Sequence, residues 1–195
     1  MTLIVPGKFV YYATPRTASV ATEAWLSKTL SNTGIKHFIT KDHHATPGHA
    51  SIRKYCTGDE EAVTTVRDPF EIMLSWFCLS GRTGYSDFIA NYHHTHMFRG
   101  GSLFWVIHDW EGYHEQLTVM RHEHLHQHLQ ELLSDTDLVG CDRAIPIMNK
   151  TKHKPKTDVF YTAFPEFFRL TWPKVFADCL LYNYWPMWYW EAPTL

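Results

Sequence analysis

The sequence predicts an α/β fold in three layers, a mostly parallel central sheet with helices on both faces. Three observations carry it. Short β-rich runs alternate with helical-period segments from end to end, the pattern of βαβ units. No internal repeat, low-complexity tract or linker divides the 195 residues, a length that suits one domain over 1–195. Hydrophobic residues make up 45% and charged residues 19%, enough apolar side chain to fill a core and the wrong balance for disorder.

The elements follow in order. Lys8–Ala13 is β-rich and stops at Thr14-Pro15. Ala21, Ala24, Trp25 and Leu30 recur at helical spacing, predicting a helix over Ser19–Leu30 that ends at Asn32-Thr33-Gly34. Lys36–Thr40 reads as the second strand, and Thr46-Pro47 as N-cap and first position of a helix through Tyr55. Glu61–Val66 is the third strand, and Pro69 opens an apolar helix through about Leu79. A helix near Ser86–Tyr92 sits in the mixed stretch Gly81–Gly112. Gln116–Arg121 is the fourth strand, with a helix over His124–Ser134 behind it. Two helices, Pro165–Phe168 and Pro173–Tyr182, close the fold, divided at Pro173.

A formal net charge of −2 gives no global footprint for nucleic acid, so any anion site is built locally. Cys56, Cys78, Cys141 and Cys179 form no C-x-x-C pair, and Cys78 and Cys179 lie in apolar runs. Without a charged n-region or long apolar h-region at the start, and with no apolar run near ~20 residues, the expectation is a soluble, cytoplasmic protein without a membrane span.

In such a fold ligands bind at the carboxyl ends of the strands. The loop Thr14-Pro15-Arg16-Thr17-Ala18-Ser19 joins the first strand to the first helix. Amides at a helix N-terminus favour an anion, Thr17 and Ser19 add hydroxyls, and Arg16 adds a charged planar fork. A plain turn with Ser19 as helix cap is the competing reading. The G-x-x-x-x-G-K-[ST] loop of nucleoside triphosphatases is absent. A second segment, Val63-Thr64-Thr65-Val66-Arg67-Asp68-Pro69, places Arg67 at a strand's end, with Ser75 eight residues on. Either Arg67 and Ser75 meet one phosphate, or Arg67 pairs with a carboxylate and Ser75 is an ordinary helix serine.

Together the two segments resemble the donor-binding elements of sulfotransferases that use 3′-phosphoadenosine 5′-phosphosulfate (PAPS). There a P-K-T-x-x-T loop holds the 5′-phosphosulfate, and R-D-P with a serine eight residues after the arginine holds the 3′-phosphate. The matching residues are Pro15, Arg16, Thr17, Ala18, Ser19 and Val20, then Arg67 and Ser75. Arg16 replaces the lysine and Val20 the closing threonine. Leu117–Leu125 is similar to the family's late strand and its Glu-x-Leu turn, and Ile145–Thr151 to its asparagine loop, which adds Asn149 and Lys150. The resemblance implies a P-loop-like fold and transfer of a sulfuryl group to a carbohydrate or small-alcohol hydroxyl. It also implies 3′-phosphoadenosine 5′-phosphate (PAP) as product, and no metal.

Transfer to a hydroxyl needs a base, and a histidine's pKa near ~6.5 suits it. In several branches of the family a histidine just before the second helix has that role. His44, in His-Ala-Thr-Pro, matches it best, then His49 and His43. Surface histidines of no function are the alternative. His122-Glu123-x-x-His126 also spells H-E-x-x-H, the pattern of a zinc-dependent hydrolase, which requires both histidines on one helical face; the β-rich Leu117–Met120 run just ahead instead places His122 and Glu123 at a strand-to-helix turn. His124 and His128 share i,i+4 spacing and offer a site for adventitious metal. A non-catalytic nucleotide-binding protein is the third reading. Arg143, Lys150, Lys152, Lys154 and Lys156 form a basic loop without acidic residues among them, and the tail Tyr182–Trp190 is a candidate packing element, acceptor wall or homodimer contact.

Overall fold

The computed structural model describes residues 2–14, 16–40, 60–81, 84–92, 117–138, 144–148 and 154–186. They fall into two compact units: Met1–Arg67 with His108–Lys150, and Asp68–Ile107 with Thr151–Leu195.

The first unit holds a five-stranded mixed sheet of β1 (Thr2–Val5), β2 (Phe9–Tyr12), β3 (Phe38–Thr40), β4 (Glu61–Val66) and β5 (Leu117–Arg121), in the order β3-β1-β2-β4-β5. The pairs β2–β4 and β4–β5 are parallel; β1 is antiparallel to both of its neighbours, β2 and β3. Four strands therefore run one way, as the alternating pattern predicted, and β1 is an unforeseen strand inserted against them. Its hairpin follows from Pro6-Gly7: Gly7 has φ +69°, and the Lys8 amide donates to the Val5 carbonyl at 3.0 Å, the turn that Pro followed by Gly favours.

Strand alternation sorts the side chains. Leu3, Val5, Phe9, Tyr11, Val63 and Met120 share one face, packed with Trp25, Leu26 and Leu30 of α1 (Ser19–Asn32) and with the four leucines of the later helix over Leu125–Asp135. Val10, Tyr12 and Ala62 are buried on the other face.

The second unit is helical: α2 (Pro69–Ser80), α3 (Tyr85–Tyr92), α5 (Thr157–Ala163) and α6 (Pro165–Tyr182), with α4 being Leu125–Asp135 of the first unit. Asp68 caps α2, its side chain accepting from the amides of Phe70 and Glu71, and Pro69 occupies the first turn. The core is aromatic. Phe70 stacks on Phe168 at 5.3 Å between centroids, and Phe77, Tyr85, Phe160 and Phe167 form a second group. Tyr85, Tyr161 and Thr171 close a buried hydroxyl triad. Two expectations are corrected here. Helix α6 runs unbroken through Pro173, which has no N–H for the Arg169 carbonyl; both residues lie on the exposed side of the helix. Helix α5 was not foreseen, because Thr157, Val159, Phe160, Tyr161 and Thr162 are weak helix formers; buried Phe160 and Tyr161 hold it.

Among the described residues no helix is long and apolar enough to cross a membrane.

Candidate functional site

Strands β2 and β4 are parallel neighbours, so their carboxyl ends lie side by side and the segments leaving them, Thr14–Ser19 and Arg67, start from one edge. The first segment has an unusual backbone. Arg16 (φ 63°) and Ala18 (φ 65°) are both left-handed, and Thr17 between them is not. Alternation of that sign turns successive amides toward one side, the arrangement that forms anion-binding concavities. Left-handed conformation at two non-glycine residues costs of order ~1 kcal/mol or more each, which the surrounding bonds must offset.

Those bonds are visible. The Thr17 hydroxyl donates to the Thr14 carbonyl at 2.9 Å and lies 2.8 Å from the Thr14 hydroxyl, which itself donates to the Thr65 carbonyl. The Arg67 guanidinium donates from Nη1 to the Arg16 carbonyl at 3.3 Å, and both the amide and the hydroxyl of Thr22 donate to the Ala18 carbonyl. In a planar trans peptide the N–H points opposite the C=O. With the carbonyls of Arg16 and Ala18 held by protein donors, the amides of Thr17 and Ser19 face the other way. Ala18 is the N-cap of α1 and makes no side-chain cap bond, so the first-turn amides carry the helix's positive end without a capping oxygen.

Two readings of this loop change. Ser19 is the first helical residue and not the cap. Thr17 is fully buried and its hydroxyl is engaged inside the protein, so that hydroxyl is not a ligand contact. Ser19 is buried as well, and Val20 is half-buried. Arg16 and Arg67 are half-buried, and burial first, then the charge of Arg67, lowers the Arg16 guanidinium from its usual value. Two desolvated cations side by side are eased by an anion held near both. No family model, curated protein or solved structure matches this chain.

Ser75 is buried on α2 in the second unit. Pro15, His43, His44, His49, Asn149 and Lys150 lie outside the described residues. Of the basic loop, Lys154 pairs with Glu71 at 3.5 Å, and Thr157 donates to the same carboxylate.

The H-E-x-x-H segment does not form one helical face. His122–His124 is a 3₁₀ turn and α4 begins only at Leu125, so His122 and His126 straddle a joint between two helical pitches. The His126 ring meets the edge of Trp25 at 6.0 Å. His128 accepts the Arg121 amide on Nδ1 at 3.1 Å, which in the neutral ring places the proton on Nε2 and leaves no lone pair for a metal. His128 therefore braces the end of β5, and the His124 ring meets it at 6.0 Å between centroids. Among the described residues no group of three metal-ligating side chains occurs. Cys78 and Cys179 are free thiols, and burial pushes Cys179 up to about 12, far from reactive.

Proposed function

We propose that the chain binds PAPS on a P-loop-like α/β core and transfers its sulfuryl group to a hydroxyl of a carbohydrate or small alcohol. The observation that carries the reading is the sign-alternating turn Arg16-Thr17-Ala18 at the start of α1, with the Arg67 guanidinium beside it at the end of a parallel neighbour strand. The positive end of α1 with the Arg16 cation suits the 5′-phosphosulfate; Arg67 suits a second anionic group, and the sequence resemblance adds Ser75, Asn149 and Lys150 to the donor contacts.

In the reaction the acceptor oxygen forms a new bond to sulfur as the bond from sulfur to the phosphate oxygen breaks in line. The hydroxyl proton passes to His44 (with His49 the next candidate), and PAP leaves. Negative charge grows on the leaving phosphate, where the Arg16 charge and preorganised amides lower the barrier. The scheme calls for no metal.

The test is a transfer assay with PAPS against a panel of glycans and simple alcohols, read by mass spectrometry. A sulfated product that disappears in the Arg16→Met variant supports the reading. Binding of PAP without product on any acceptor would leave a non-catalytic nucleotide-binding protein.

A further inference from the structure

A loop with two left-handed non-glycine residues needs something to hold it, and glycine is not what this sequence uses. Three threonines at the carboxyl ends of β2 and β4 occupy that place. Thr14 is 2% exposed, and Thr17 and Thr65 are fully buried. The two loop hydroxyls carry two protons. Thr14 gives its proton to the Thr65 carbonyl. Thr17 then supplies the proton toward Thr14, shared between its carbonyl at 2.9 Å and its hydroxyl at 2.8 Å. Both protons are used inside the protein. The Thr65 hydroxyl is engaged in turn with the Tyr11 phenol at 3.1 Å, which ties the clasp to the sheet's core face.

We propose that Thr14 and Thr17 are positioning residues: their hydroxyls clasp the loop to the Thr65 carbonyl and set the positive-φ turn at Arg16 and Ala18 that leads into the N-terminus of α1, the end offered to the donor's phosphosulfate. The inference rests on the donor-loop reading above for its ligand, and on the ligand-free protein for its geometry. Thr14 has no counterpart among the residues matched to the sulfotransferase motif. Thr17 acts here inside the fold, on Thr14, and not as a hydroxyl contact to the ligand. Either β-branched isostere, Val at 14 or at 17, keeps the volume and removes the proton, so Arg16 and Ala18 lose the tie that fixes their conformation. Serine keeps the hydroxyl and loses only a methyl group.

The experiment compares Thr14→Val, Thr17→Val, Thr14→Ser and Thr17→Ser in the full chain. NMR couplings between amide and α protons at Arg16 and Ala18, read together with the strong intraresidue amide–α NOE of a positive φ, report the sign of φ without ligand, and calorimetry with PAP reports affinity. The valine variants are expected to lose the positive-φ signature and to bind PAP at least about tenfold more weakly, a loss of ~1.4 kcal/mol. The serine variants are expected to retain both. Valine variants that keep the couplings and the affinity overturn the clasp. Should the parent itself bind no PAP, the donor reading falls and the couplings alone decide the clasp. Should both valine variants fail to fold, the serine variants decide: parent-like couplings uphold it, and lost couplings overturn it.

Discussion

Replacing Arg67 by Met separates a binding residue from a structural one. In the free protein the guanidinium donates to the Arg16 carbonyl at 3.3 Å, a long bond at the weak end of the ~0.5–1.5 kcal/mol that a hydrogen bond nets. Its charge also acts against Arg16, whose guanidinium it helps to lower. These two effects oppose, and Met preserves the apolar stem, so between them they are expected to change the free protein by less than about 1 kcal/mol. The ligand tells the other half. A charge-assisted bond to phosphate is worth ~1.5–3 kcal/mol, about ten- to hundredfold in Kd. At PAP one hundred times the parent's Kd, the parent gains ~2.7 kcal/mol, and a variant with Kd raised hundredfold gains only ~0.4 kcal/mol. At roughly 2–4 °C per kcal/mol for a chain of this size, thermal unfolding should show a parent shift of about 5–10 °C and a variant shift of about 1 °C. A ligand-free variant destabilised by more than ~2 kcal/mol would refute the reasoning, as would equal PAP shifts in parent and variant.

Three further outcomes are expected. Thr171→Val removes the hydroxyl shared by Tyr85 and Tyr161 within a buried triad, and urea unfolding should show a loss of ~1–3 kcal/mol; an unchanged midpoint would mean the two phenols satisfy each other. Burial pushes the phenols of Tyr11 and Tyr85 up to about 12 from 10, so the folded state favours their neutral forms. That stability is fully present below pH ~10 and is lost as pH rises through about 12, and denaturant midpoints across this window should fall monotonically. His44→Ala should lower the transfer rate by ~10²–10⁴ while PAP affinity stays at the parent's value; a parallel loss of affinity would place His44 in donor binding instead.

The alternation of strand and helix was legible because β2, β4 and β5 are short β-branched or aromatic runs with Pro, Gly or charged stops beyond them. Strand β1 was hidden: four residues at the start of a chain carry too little pattern, and its place depends on partners far along the sequence. The split at Pro173 failed because packing overrode proline's local cost: Phe168, Thr171, Val175 and Cys179 are buried along one continuous helix on both sides of it. At the site, Arg16 and Arg67 were readable as cations after strands. What could not be read was direction. Thr17 looked like a hydroxyl donor for an anion, yet its burial turns that hydroxyl inward, and the sign of φ at Arg16 and Ala18 is set by bonds to Thr65, Thr22 and Arg67 that no local spacing encodes. The H-E-x-x-H match, by contrast, was readable: the β-rich run just ahead of it puts His122 and Glu123 at a strand-to-helix turn, and a 3₁₀ turn stands there.

The most direct test of the central claim is calorimetric titration of the purified chain with PAP beside the Arg67→Met variant. The account predicts micromolar binding by the parent, about −8 kcal/mol, and a Kd at least about tenfold weaker in a variant that remains folded. A folded parent that takes up no PAP, or a variant that binds it as tightly, would contradict the donor site.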